Sequence, residues 1–430
     1  MSDSESVVYK RLLWATLILG MAVFFWGLGN IALMSLNEAR RALPAQDMFR
    51  GGDWLLPHLN GELYLTKPPL IYWLSAGIAH FLGSANEWAV RLPSALAATI
   101  TLWMVYHYAR REFGAWPALF SMQLLIANVT FAMFARRGEI EMLLTLLCAG
   151  ALLAAIHFIR DGVDKRWIYL SYLLLALAML TKGPLVLLFV TLPLLIVAFY
   201  QKDQRCWQVL RSPLGWTIFV LVGLSWYVYV TWRLGPDVWS AIAHRDMVEK
   251  IQGEGGAKPV LSYLGWVLLD FAPAIIVVSM RPTTIWQRCK ERTDFMLLLT
   301  AVVIPLLVFS LFNNKHAKYL LPAYPFIALL LAMRLGEIFD VARPRIRQTI
   351  LLLGLLLPAM YAVYYSVAET RIYHYRVSVF PKLMAWTSEM QSAPLYAYGE
   401  LDSRVIYYSA KPIKTLSKPT PKFSPASWFG

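Results

Sequence analysis

Long apolar runs recur along this chain from residue 12 to about residue 366, separated by short polar segments. By the length needed to cross a hydrocarbon core of roughly 30 Å, they number about eleven. They fall at 12–34, 88–109, 115–134, 140–159, 167–180, 183–200, 213–232, 262–280, 295–312, 319–333 and 348–366. The pattern predicts an all-α polytopic membrane protein. The polar step Thr181-Lys182-Gly183 divides two runs that otherwise read as one long span.

The polar segments set the sidedness. With the N-terminus in the cytoplasm, the inside loops hold Lys10-Arg11, Arg110-Arg111, Arg160 with Lys165-Arg166, and Lys202 with Arg205 and Arg211. They continue with Arg281, Arg288, Lys290 and Arg292, then Arg334, Arg343, Arg345 and Arg347. This is the positive-inside pattern, and it places the chain in the plasma (inner) membrane as a multi-pass protein. Only 15% of the residues are charged and 58% are hydrophobic, against about 25% charged in soluble domains. The net charge of +14 is accounted for by topology, so it does not argue for nucleic acid. Cys148, Cys206 and Cys289 have no metal-ligand or CxxC spacing. The first span lacks a small-residue cleavage site and reads as a retained helix rather than a signal peptide.

Three outside segments exceed what a turn requires: 35–87, 233–261 and a tail from about 367. In the first, Glu38 to Arg50 has helical apolar spacing, limited by Pro44. Pro68 to Leu82 suits a helix lying in the interface plane, since a crossing there would invert every later loop. In the tail, Pro394 to Tyr398, Val405 to Tyr408 and Pro412 to Leu416 are strand candidates. The predicted organisation is a transmembrane domain, 1–366, and a small extracytoplasmic α/β tail, 367–430. The Gly253 to Gly256 run lacks the Gly-Lys-Ser/Thr ending of a phosphate loop and reads as a mobile loop.

Basic residues outside run against the topology and call for a use. Charges gather at Asn37-Glu38-Ala39-Arg40, Tyr64-Leu65-Thr66-Lys67-Pro68-Pro69 with Tyr72-Trp73, Arg136-Arg137-Gly138-Glu139-Ile140-Glu141, Thr181-Lys182-Gly183-Pro184 and Lys318-Tyr319. Ionisable clusters at membrane level mark functional sites, and Lys and Arg are natural partners of an anionic phosphate. Lys67 is the sharpest position, because the two prolines after it pin its backbone. Each has a plainer alternative: Lys67 as a snorkelling anchor, Lys182 as a loop lysine beside a helix-ending glycine, the aromatic rings as an interfacial belt.

Together with Gly52-Asp53-Trp54-Leu55-Leu56-Pro57, Arg91-Leu92-Pro93-Ser94-Ala95, Val248-Glu249-Lys250-Ile251-Gln252 and Lys318 to Pro325, these segments stand in an order that resembles the GT-C superfamily glycosyltransferases of the protein O-mannosyltransferase and lipid A aminoarabinose transferase group, over roughly residues 12–335. The resemblance implies a GT-C-type helix bundle with outer-face juxtamembrane helices. It implies an inverting transfer of a sugar from a polyprenyl-phosphate donor to a cell-envelope glycolipid or polysaccharide, such as lipid A. Lys67, Arg40, Lys182 and Lys318 then bind the donor phosphate. Glu38, Asn37 and Glu141 are the candidate catalytic groups, and Tyr64, Tyr72, Trp73, Tyr319 and Trp226 the candidate sugar or lipid contacts. Of Glu139 and Glu141, spaced i and i+2, only Glu141 is expected to face the site.

Three departures from the family pattern matter. Asn37 stands where an Asp is usual, and an amide cannot accept a proton there. Thr66 and Lys250 replace a Glu and a His that the resemblance links to a metal, so no metal cofactor is expected. A nucleophile that is already anionic, such as a lipid A phosphate, needs no strong base; a hydroxyl acceptor would require Glu38 as the base. Two rival readings stay open, a weakened polyprenyl-glycan-binding or carrier protein and a protein O-glycosyltransferase. A transporter would show repeats and broken helices, and no internal repeat is visible. If Asn37 suits the native chemistry, Asn37→Asp should give no large gain in transfer to the native acceptor; a large gain contradicts it.

Overall fold

The computed structural model describes residues 3–240, 242, 258–279, 283–377, 379–389, 395–398, 401–409 and 413–416. The expected loop at Gly253 to Gly256, Lys250 with its neighbours, Pro394 and the 417–430 segment lie outside these. Helix α1 covers Asp3–Phe25, starting well before the expected 12 and stopping well before 34. It stops because Gly27 adopts φ +63, a left-handed turn. The chain then runs without helix to Ser35. A buried non-helical stretch must find partners for its backbone, and here it borrows them from side chains.

Helix α2 (Leu36–Phe49) follows, capped by Ser35, whose Oγ accepts from Glu38 N. It runs through Pro44, correcting the expectation that Pro44 would limit it. Packing on both faces outweighs one lost helical hydrogen bond: Ala39, Ala42, Leu43, Ala45 and Met48 are all buried. A short hairpin pairs β1 (His58–Leu59) with β2 (Glu62–Leu63), and Asn60 and Gly61 at its tip both have positive φ, the geometry of an Asn-Gly type I′ turn. Helix α3 (Leu70–Leu82), with 13 residues, spans only about 20 Å. That is too short to cross, as expected of an interfacial helix.

After α1 the bundle continues with α4 (Glu87–Glu112), then α5 (Ala115–Ile126) and α6 (Val129–Ala135), α7 (Ile140–Asp161) and α8 (Arg166–Lys182). Among the described residues six helices are long and apolar enough to cross a membrane, or eight if two bent pairs each count once. By that measure the expected count of about eleven is not confirmed. The expected 115–134 span is broken by 70° between α5 and α6, because Asn128 caps a new helix by accepting from Phe131 N (2.8 Å). The 213–232 span bends by 45° at Leu224. The remaining expected spans fall on shorter pieces: α8, a Pro184–Leu188 turn leading to Thr191–Tyr200, and the Ser262–Asp270 and Ala272–Ser279 pair.

At the C-terminal end, β3 (Leu395–Tyr398) and β4 (Ile413–Leu416) pair in parallel. A parallel pair needs a crossover, and Ser403–Ser409 supplies it as a helix. The strand expected at Val405 to Tyr408 is therefore a helix, whose Ile406, Tyr407 and Tyr408 pack with Ile31, Leu33, Ala39 and Val90.

One buried ion pair ties these elements together. Arg91 Nε donates to Glu38 Oε1 (2.7 Å) and Nη2 to Oε2 (3.3 Å). The same guanidinium reaches the carbonyls of Leu28, Ile31 and Ala32 at 2.7, 2.7 and 3.0 Å. Glu38 also accepts from Met34 N (2.7 Å) and Gly138 N (3.0 Å). Only glycine permits that last contact, since a Cβ at 138 would lie 2.2 Å from Val90 Cγ1. Burial opposes the Glu38 charge, but Arg91 and the two amides hold its carboxyl below the ordinary 4.5. Glu38→Gln should cost about 3–5 kcal/mol, the penalty for leaving a buried partner unpaired, read as a lower melting temperature in lipid nanodiscs. Because the folded value is depressed, this contribution is complete above pH 4.5 and fades as pH falls through the folded value below it. A melt unchanged by the substitution would contradict this role.

Candidate functional site

The sequence-predicted cations converge at the bundle end that carries α2 and α3. Lys182 is the last residue of α8 and Glu141 lies in the first turn of α7. Each charge thus sits where the helix dipole favours it, a cation at a C-terminus and an anion at an N-terminus. Lys182 Nζ is 3.4 Å from Glu141 Oε1, and Lys318 Nζ is 3.6 Å from the same oxygen. Lys318 also donates to Glu139 Oε2 (2.8 Å).

Glu139 corrects the expectation that only Glu141 faces the site. It is the extended residue before α7, with φ −112 and ψ 161, so the helix-face rule does not apply to the pair. Ser35 Oγ donates to its Oε1 (2.9 Å), and its backbone oxygen accepts from Ser94 Oγ (3.3 Å). The Arg91-Leu92-Pro93-Ser94 motif is thereby explained: Arg91 holds Glu38, and one turn on Ser94 holds the start of α7.

Arg41, which the sequence reading passed over in favour of Arg40, is buried and donates to Tyr72 Oη (2.9 Å) and Tyr64 Oη (3.3 Å). Burial opposes its charge, yet the two phenols and Glu141 keep its pKa above the ordinary value. Burial pushes the Tyr72 phenol up to about 12. Tyr64, although half-buried, is drawn below its usual value by Arg41 and Arg40. Arg40 itself is exposed on the next helix position. Lys67 Nζ donates to Thr66 O (2.9 Å), and its charge opposes that of Lys182. Lys182 Nζ lies 5.0 Å from the centre of the Tyr319 ring.

Two expected roles do not fit this geometry. Glu38 accepts two hydrogen bonds at each oxygen, so the proposed base has no lone pair directed at the site. Asn37, beside it, is half-buried at the start of α2. Trp226 is no open sugar platform: it is 2% exposed and its indole donates to Leu55 O (2.7 Å). Trp73 likewise donates to Trp54 O (2.6 Å), and Tyr72 is fully buried, so Tyr64, Trp73 and Tyr319 are the half-buried rings of the set. Asp53 is spent on a turn, accepting from Leu55 N and Leu56 N at 2.7 and 3.1 Å. A legible signal for part of this existed in Ser35-x-x-Glu38, a capping-box spacing.

This polytopic helix bundle has counterparts among known proteins in both sequence and fold. The profile of the family described as dolichyl-phosphate-mannose-protein mannosyltransferase matches residues 66–232. The undecaprenyl phosphate-alpha-4-amino-4-deoxy-L-arabinose arabinosyl transferase 1 of Sodalis glossinidius is 28% identical over 72% of this chain and 56% of its own length. The corresponding transferase of Pseudomonas savastanoi is 28% identical over 84% of this chain and 69% of its own length. Much of these relatives' length therefore lies beyond the match. The crystal structure of ArnT from Cupriavidus metallidurans in the apo state superposes with a TM-score of 0.76 at 18% identity, covering 97% of this chain and 87% of that one. The Archaeoglobus fulgidus oligosaccharyltransferase AglB gives 0.64 at 12% identity, over 96% and 65%. The chain has the GT-C-type fold and resembles the aminoarabinose transferase and O-mannosyltransferase group.

At the position where the resemblance links a glutamate to a metal stands Thr66, whose backbone carbonyl accepts from the Lys67 ammonium (2.9 Å). Among the described residues no three His, Cys, Asp or Glu side chains gather as a metal set. Lys250 lies outside them.

Glu141 separates two half-buried ammonium groups. Glu141→Gln should therefore destabilise the protein by about 3–5 kcal/mol. Adding Lys182→Met should recover part of that loss, measured as non-additive melting shifts in a double-mutant cycle. Strict additivity would show that the three charges do not act as one cluster.

Proposed function

We propose that this chain is an inverting membrane glycosyltransferase, moving a sugar from a polyprenyl-phosphate donor to a cell-envelope acceptor such as lipid A. The observation that carries this is the gathering, among the described residues, of Arg41, Lys67, Lys182 and Lys318 near the carboxylates of Glu139 and Glu141. A site with surplus positive charge at the membrane boundary suits a lipid-linked phosphate. The positive-inside pattern supports an extracytoplasmic site at the plasma membrane. Undecaprenyl phosphate, named in the relatives, is the lipid we assign to the donor.

In the transfer, an acceptor oxygen attacks the anomeric carbon while the bond from that carbon to the phosphate oxygen breaks. The polyprenyl phosphate departs with the electron pair, and its growing charge meets the ammonium groups of Lys67, Lys182 and Lys318 and the Arg41 guanidinium. Glu139 and Glu141 hold Lys318 and Lys182 in place beforehand, so little reorganisation is needed when phosphate arrives. No metal is assigned a part in this scheme. Since Glu38 is committed to Arg91, an acceptor that arrives as an anion fits best, because it brings no proton to be removed. An anionic phosphate on lipid A is such a group. The committed Glu38 equally suits a protein that binds the donor without turnover.

Purified protein in lipid should transfer sugar from undecaprenyl-phosphate-linked donors to lipid A. Lys67→Ala and Lys182→Ala should each lower kcat/KM by about 10²–10³, the usual loss for one charge-stabilising donor. Donor binding without transfer, across sugars and acceptors, would favour the binding-protein reading. Retained transfer in both variants would overturn the assignment of the phosphate site.

A further inference from the structure

The segment joining α1 to α2 is gripped from two sides. On one side lie Arg91 and Glu38. On the other lies the C-terminal Ser403–Ser409 helix, which no part of the proposed reaction uses. Tyr408 is 5% exposed; its hydroxyl accepts from Leu33 N (2.9 Å) and donates to Glu87 Oε1 (2.5 Å). Tyr407 donates to Ala85 O (2.6 Å), and Arg404 reaches Met34 O (3.4 Å). Phe380 stacks on Tyr408 with ring centres 5.6 Å apart.

A second grip lies at the β1–β2 hairpin. Asn60, held at φ +56, donates from Nδ2 to Ile413 O (2.8 Å) and accepts at Oδ1 from Ile413 N (3.0 Å). The side-chain amide thus pairs with the backbone of β4 much as a neighbouring strand would. Each gripped segment leads directly into the site. Met34, next to Leu33, bonds Glu38; Arg41 lies one turn further along α2; the hairpin runs into Tyr64; and Glu87 opens α4, which carries Arg91 and Ser94.

We propose that Tyr408 and Asn60 are positioning residues, through which the C-terminal β3–helix–β4 unit sets the placement of Arg41 and Tyr64 at the phosphate site. The proposal rests on the polyprenyl-phosphate reading for its ligand, but not for the grip itself. Neither residue touches the phosphate site, so their effect passes through the backbone of 33–41 and 58–64.

The test uses the full chain in nanodiscs of phosphatidylethanolamine and phosphatidylglycerol, comparing wild type, Tyr408→Phe, Asn60→Gly and Glu87→Gln. Asn60→Gly keeps the left-handed turn while removing the amide, and it leaves the Tyr408 helix intact should Tyr408→Phe misfold. Glu87→Gln keeps an acceptor for the Tyr408 hydroxyl. Amide hydrogen exchange is read over peptides covering 30–43 and 58–66, and undecaprenyl phosphate binding is titrated alongside. Tyr408→Phe should speed exchange over 30–43 by roughly tenfold, the equivalent of one hydrogen bond, with binding weakened several-fold. Asn60→Gly should do so over 58–66, and Glu87→Gln should match wild type. In all of them exchange over 140–161 should be unchanged, which a general loss of stability would not allow. Unchanged exchange in both variants overturns the grip, and faster exchange with unaltered binding overturns its positioning role. Wild-type protein that binds no undecaprenyl phosphate overturns the ligand reading, while the exchange data still decide the grip.

Discussion

The architecture depends on how the chain leaves its first span. A backbone that stops being helical inside a packed bundle loses its internal hydrogen bonds, and the carbonyls of Leu28, Ile31 and Ala32 have no water to turn to. Arg91 answers all three with one guanidinium, and a buried guanidinium is tolerable only beside a counter-charge. Glu38 is that counter-charge. Because Glu38 also binds the amides of Met34 and Gly138, the requirement joins α1, α2, α4 and the turn before α7 at one point. The same elements carry Arg41, Glu139 and Glu141, so the site inherits its geometry from a constraint that has nothing to do with catalysis.

The site solves a second electrostatic problem. In the proposed phosphate site the cations must stand close together while phosphate is absent, and they repel one another. Glu141 sits between Lys182 and Lys318, and Glu139 takes the remaining reach of Lys318. The end of α8 and the start of α7 lend their dipoles to the same arrangement. Arg41 is fixed separately by two tyrosine hydroxyls, groups that orient it without cancelling its charge.

Much of this was legible as charge out of place. Lys67, Lys182, Lys318 and Glu141 stand at span ends on one side of the predicted topology, and no soluble or topological reason demands them there. The finer assignments failed where they depended on distant partners. Glu38 reads as a free carboxylate until Arg91, fifty-three positions away, is seen to claim it. Arg41 and Arg40 differ only by helix phase, and Pro44 obscured that phase. The break at Asn128 was written as a helix cap within an apolar run, where hydropathy alone reads straight through it. At Val405 to Tyr408 local β-propensity lost to topology, because parallel strands cannot be joined without a crossover.

The most direct test is a cryo-electron microscopy map of the protein in nanodiscs with undecaprenyl phosphate bound. The account predicts phosphate density within hydrogen-bonding reach of Lys67 and Lys182, with Glu38 still paired to Arg91. Phosphate density at the opposite end of the bundle, among Arg160, Arg205 and Arg292, would contradict it.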